Sequence, residues 1–207
     1  MSVINKLASR LGVKSDVPNQ ELAKQLATDQ NRKGIEEIAN NLESDDKAIQ
    51  SDCIKVLYEI GYLKPEMIAD YTDTFIRLLQ SKNNRLVWGA MIALWTVARL
   101  KAGDLFKARE QIISAIDKGS VITMDAGIKA LAETAASDNT YNQTLFSYLM
   151  QQLRQCRPKS VAQYAESIFT AVTEANKNEY VQILKERNEE LNPSQSKRVE
   201  KLLRQFQ

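Results

Sequence analysis

Few side chains in this sequence are equipped for chemistry, and the missing types decide most. There is no histidine, which removes Ser-His-Asp and Cys-His catalysis along with the commonest general base and metal ligand. The cysteines Cys53 and Cys156 stand far apart with no CxxC, so neither a disulfide framework nor a Cys/His zinc site is expected. Gly12-Val13-Lys14-Ser15 has the ending of a phosphate loop but lacks the upstream glycine and the preceding strand that such a loop needs. The acid pairs Glu36-Glu37, Asp45-Asp46 and Glu189-Glu190 fall on expected helix exteriors or turns, as solvated or capping groups. Cys53 reads as a small core residue, and Cys156, between Arg154 and Arg157, as a surface thiol. No catalytic residue, cofactor or metal is assigned. What remains is aromatic: Tyr58, Tyr62, Trp88, Trp95 and Phe169, with Arg99 beside them, are rings that bind rather than react.

These rings are placed by a repeat. Leu57, Leu94, Leu131 and Ile168 follow one another at intervals of 37 residues. The same offset aligns Ile60, Val97, Thr134 and Ala171, then Gly61, Ala98, Ala135 and Val172, then Cys53, Ala90, Gly127 and Tyr164. Upstream it aligns Ile38, Phe75, Ile112 and Leu149, and Leu42, Leu79, Ile116 and Leu153. Within each segment the apolar positions recur at i, i+1, i+4, i+7 and i+8, one face of an α-helix and not an alternating strand. Each repeat therefore holds two helices. Asp45-Asp46, Asn83-Asn84, Gly119-Ser120 and Arg157-Pro158 fall between first and second helices, as caps or helix-opening prolines. Pro65 and Asp104 are expected to open first helices. A pair of this length cannot bury its apolar face alone, so neighbouring pairs must stack.

The bulk numbers agree with one domain. A chain of 207 residues, 43% hydrophobic and 26% charged, has an ordinary globular composition. Lys+Arg 28 against Asp+Glu 26 leaves a net charge of +2, far from the excess that drives non-specific phosphate binding. The apolar run Leu86 to Ala98, fenced by Arg85 and Arg99, falls short of the roughly 20 residues a membrane span needs. The opening residues lack the apolar h-region of a secretory signal. A cytoplasmic location is expected.

Pro65-Glu66-Met67, Leu78-Leu79, Asn84-Arg85-Leu86-Val87, Ala90 and Ala93-Leu94 to Val97 resemble a unit of the HEAT and armadillo-like helical-repeat family. The other repeats lack an arginine matching Arg85. The resemblance implies an all-α, right-handed α-solenoid of about four to five HEAT-like helix pairs. Residues 1–31 are expected to form N-terminal capping helices around Leu7 and Leu11, then Leu22 and Leu26. Four core pairs fill 32–175, and a degenerate capping pair fills 176–207, with Leu202, Leu203 and Phe206 as its apolar stripe.

In HEAT-like solenoids the second helices line the concave surface. The resemblance therefore implies that Tyr58, Tyr62, Trp88, Trp95, Arg99 and Phe169 face a groove, ringed by Lys55, Glu59, Lys129 and Glu133. Two readings of the rings stand: lateral contacts between second helices, or exposed anchors for a partner. The corresponding functions are a non-catalytic scaffold or adaptor holding a protein partner's helix or peptide, and a nucleic-acid binder resembling the HEAT-like DNA alkylation-repair glycosylases. Against base excision, the residue one turn after Trp95 is Arg99, and no acid lies one turn after Trp88. Phosphate contacts through Arg77, Arg85, Arg99, Lys101, Lys107 and Arg109 remain for the second reading. A lyase-like HEAT protein acting on a bound pigment or cofactor would need catalytic groups that the sequence does not supply.

Overall fold

The computed structural model describes residues 2–206, and among them every regular element is a helix. The chain divides into two compact units, one running through Gly127 and the other from Ile128 onward.

The first unit contains α1 (Val17–Thr28), α2 (Arg32–Asn40), α3 (Lys47–Leu63), α4 (Thr72–Leu78), α5 (Asn84–Val97), α6 (Ala102–Lys107), α7 (Arg109–Lys118) and the opening turns of α8 (Val121–Ser137). Side chains start several of these helices. Asn31 accepts from the Gly34 amide, Asp46 from Ala48 and Ile49, and Asn83 from Arg85. Each such cap is worth about 1 kcal/mol. The helix α3 stops where Lys64 precedes Pro65, since the proline ring disfavours a helical residue before it; Lys64 accordingly has φ −147° and ψ 77°.

The expected first helices are broken more than their spacing suggests. Pro65 opens only a 3-10 turn, Pro65–Met67, and α4 begins at Thr72. Asp104 lies inside the first turn of α6 instead of capping it, and α6 gives way to α7 at Ala108. No α-helix surrounds Leu7 and Leu11. A 3-10 turn, Ile4–Lys6, is followed by extended backbone at Leu7 and positive φ at Gly12, which leaves Leu11 exposed.

The repeat columns are the core. In the first unit Ile38, Phe75, Ile112, Leu57, Leu94, Cys53 and Ala90 are all buried. Each fully buried aliphatic side chain contributes about 1.5–3 kcal/mol. Small residues set how near the helices come: a methyl on Gly89 of α5 would stand 2.7 Å from Ile54 of α3.

A buried polar clamp fixes the chain ahead of α1. Asn19 accepts from the Ala8 amide at 3.0 Å and donates to Asp52 Oδ1 at 2.7 Å. The other Asp52 oxygen accepts from the Ser9 amide at 2.7 Å.

The second unit holds the rest of α8, then α9 (Asn139–Gln155), α10 (Pro158–Ile168), α11 (Lys177–Asn188) and α12 (Pro193–Leu203). Leu131, Leu149, Leu153 and Ile168 are its buried columns. Asp138 caps α9, Pro158 opens α10, and Asn192 with Gln195 forms a capping box on α12. Buried Asn142 donates to the Ala171 carbonyl at 2.7 Å and accepts from Asn176 at 2.9 Å. Arg187 of α11 reaches the end of α9, donating to the carbonyls of Leu153 and Cys156 at 2.7 Å each and to that of Arg154. Glu166 of α10 holds Arg198 of α12 through two hydrogen bonds. No helix of the described residues is long and apolar enough to cross a membrane.

Candidate functional site

Four rings from α3 and α5 form one continuous ladder in the first unit. Trp88 lies 5.9 Å from Tyr58 between ring centroids, Tyr58 5.8 Å from Tyr62, and Tyr62 5.6 Å from Trp95. Tilted and edge-on geometries place the positive edge of one ring near the negative face of the next, worth about 0.5–1.5 kcal/mol per pair beyond burial. The order follows from helix geometry. Tyr58 and Tyr62 are four apart on α3, Trp88 and Trp95 seven apart on α5, so each pair shares a face. The two faces meet because α3 and α5 approach closely over Gly61 and Gly89.

The ladder is graded in exposure. Tyr58 is 5% exposed, while Tyr62 is 47% exposed. Trp88 and Trp95 are half-buried. Between the two half-buried tryptophans, Tyr58 therefore fills the contact between helices while Tyr62 meets solvent. Leu63 at 55% and Leu100 at 54% are exposed at the same helix ends, where Arg99 is also exposed. These two leucines lie off the repeat columns; an apolar residue at a helix terminus outside the core face was the available signal for them.

The charges around the ladder depart from a simple rim. Lys55 is buried, and its Nζ lies 2.5 Å from Glu59 Oε1 and 4.8 Å from the Tyr58 ring centroid. A four-carbon stem lets the ammonium leave a buried backbone position and reach the carboxylate one turn on. Burial pushes the Lys55 pKa down, but hydrogen bonds to Glu59 and Tyr58 outweigh it and hold it above the ordinary 10.5. Burial pushes the Tyr58 phenol up, against the opposing pull of Lys55. Beside Trp88, the next ring along from Tyr58, the Arg85 guanidinium lies 5.5 Å from the ring centroid and 3.2 Å from Asp16.

Phe169, Lys129 and Glu133 belong to the second unit. Phe169 does not join the ladder of α3 and α5: it packs 5.8 Å from Phe206 and 6.4 Å from Tyr180, and Phe206 and Tyr180 are 6.0 Å apart. The Tyr180 hydroxyl donates to the Ala165 carbonyl at 2.7 Å. Phe169 shares a repeat column with Trp95 and Ala132 through its position on a second helix, while its neighbours come from the last pair and the residues after it. Lys129 and Glu133 are half-buried on α8.

The arrangement offers contact area, ring edges and flanking charge. Among the described residues no three metal-ligating side chains converge.

No protein-family model matches the chain, and no curated protein matches it in sequence. Solved structures do match. A designed armadillo repeat protein in complex with peptide (KR)4 is 14% identical over all of both chains, with a TM-score of 0.69. An engineered protein is 17% identical, covering 99% of this chain and 96% of its own, at 0.68. A computationally designed armadillo repeat protein for modular peptide recognition is 14% identical over 97% of each chain, at 0.66. The chain has the all-α helical-repeat fold of the armadillo and HEAT-like solenoids.

Proposed function

We propose that the protein is a non-catalytic scaffold or adaptor that holds a helix or extended segment of a protein partner against the second-helix face of its first unit. Tyr62 and Trp95 are the anchors of this face, with Leu63, Leu100 and Arg99 around them. One observation carries the reading: Tyr62, inside the ladder, is 47% exposed while its neighbour Tyr58 is 5% exposed, and Leu63 at the end of α3 and Leu100 just past α5 are each more than half exposed. Aromatic anchors inside a ring of apolar and charged neighbours are what binding centres are made of. The peptide in one designed neighbour and the peptide-recognition purpose of another support a peptide-like partner. Such a scaffold is expected in the cytoplasm.

The test starts from peptides selected on the intact protein from a display library and follows their binding by tryptophan fluorescence. Replacing Tyr62 or Trp95 by alanine should weaken binding at least tenfold, with Tyr62→Ala still folded and its unfolding midpoint lowered far less than that of Tyr58→Ala. Equal binding by Y62A and W95A overturns the reading. Titration with fluorescent single- and double-stranded DNA at two salt concentrations runs alongside. Micromolar, salt-sensitive binding that quenches tryptophan transfers the face to nucleic acid.

A further inference from the structure

We propose that the turn from Arg10 to Val17 is a docking surface for an anionic lipid bilayer, separate from the aromatic face. All eight residues of this turn are exposed. Three of them are aliphatic: Leu11 is 54% exposed, Val13 42% and Val17 51%. Their exposure is built in. Directly before the turn, Leu7 and Ala8 are buried, and the Ala8 and Ser9 amides are held by Asn19 and Asp52. The Val13 amide donates back to the Ala8 carbonyl at 2.9 Å, and Gly12, at φ +67°, reverses the chain. A buried polar clamp thus presents an apolar tip outward.

The charge on this tip selects the occupant. Arg10 and Lys14 are exposed, and neither forms an ion pair among the described residues. The one acid in the turn, Asp16, is paired with Arg85 at 3.2 Å. The helix α1 begins in the same region, its Val17 amide donating to the Ser15 hydroxyl at 3.2 Å. Scattered aliphatic side chains without an aromatic ring or a pocket make a poor protein hot spot. They suit a bilayer interface, where aliphatic groups enter the acyl boundary and cations stay at the phosphates.

The experiment is co-sedimentation of the intact chain with vesicles of phosphatidylcholine alone and of phosphatidylcholine doped with phosphatidylserine. Binding should require phosphatidylserine. Each cation contributes roughly fivefold at such a surface, so the R10E/K14E pair should lower binding well over tenfold and the milder K14Q by about fivefold. The L11S/V13S pair should lower it severalfold, with the unfolding midpoint of every variant unchanged because the replaced side chains are exposed. Lys82→Glu, the same charge change elsewhere, should leave binding intact. Absence of sedimentation with phosphatidylserine overturns the proposal. So does an equal loss in K82E, which would show attraction to overall charge. So does indifference to L11S/V13S with equally tight binding of heparin, which would show a polyanion site without insertion.

Discussion

Gly61 faces Thr96 so closely that a methyl group added to it would stand 2.2 Å from the Thr96 hydroxyl oxygen. That hydroxyl already donates to the Ala93 carbonyl at 2.7 Å, so it has little freedom to withdraw. Gly61→Ala would gain up to about 1 kcal/mol of helix propensity but cost about 1–3 kcal/mol in overpacking. A lowered urea midpoint is expected, partly restored by T96A. An unchanged midpoint would mean that α3 and α5 separate without penalty.

Tyr58 and Tyr62 should respond unequally to truncation. Tyr58→Ala removes a buried ring and is expected to cost about 3–5 kcal/mol. Tyr62→Ala removes one nearly half in solvent that still packs on Tyr58 and Trp95, and should cost about 1–2 kcal/mol. Chemical denaturation of both variants measures the contrast, and equal costs would place both rings in the core.

Arg187 closes the end of α9 by donating to three backbone carbonyls while staying largely buried. Arg187→Ala should cost about 1.5–3 kcal/mol, the usual worth of hydrogen bonds to a charged group. Arg187→Lys should not restore it, because an ammonium lacks the planar fork that spans several acceptors. Thermal unfolding of the two variants decides this.

The Glu166 carboxyl is held below its ordinary 4.5, chiefly by hydrogen bonds from Arg198. A carboxylate with a depressed folded pKa adds stability above its unfolded pKa and loses it as pH falls through the folded value. Both side chains are 44% exposed, so the effect is small and screened by salt. Arg198→Gln should flatten the dependence of the unfolding midpoint on pH below about 4.5. A slope unchanged by the substitution would remove this pair from the acid response.

Burial, with Asp52 and Glu37 adding, pushes the Cys53 thiol up to about 12 from its ordinary 9.0. The thiolate is the reactive form, so Cys53 should resist thiol reagents at neutral pH until the protein unfolds. Its contribution to stability is present below pH 9 and declines as pH rises toward 12, because the unfolded chain ionises first. Labelling kinetics in rising urea check this, and rapid labelling of folded protein would show the site to be open.

The repeat was legible because it is written twice over, in a helical apolar period and in a fixed offset between helices. Ile38, Phe75 and Ile112 share a column and are buried. The sorting of the rings was not legible. Tyr58 and Tyr62 lie on one stripe at i and i+4, yet only the position of α5 determines which is covered. Lys55 reads as a rim charge from the same stripe, although a partner one turn away draws its flexible stem into the contact. The polar clamps were missed for a different reason. Asp52 pairs across 43 residues with Ser9, and Asn142 across 34 with Asn176, and neither acts through a residue type that recurs in the repeat.

Asn142 also bears on a hazard common to repetitive chains. Helices built on one apolar template present nearly interchangeable faces, and apolar contact alone tolerates the wrong neighbour. An amide buried against the Ala171 carbonyl and the Asn176 side chain does not. Slipping α9 onto another helix would strand that amide in hydrocarbon at a cost of about 1–3 kcal/mol. Asn142 thus acts as an address that tells the second unit which helices are its own.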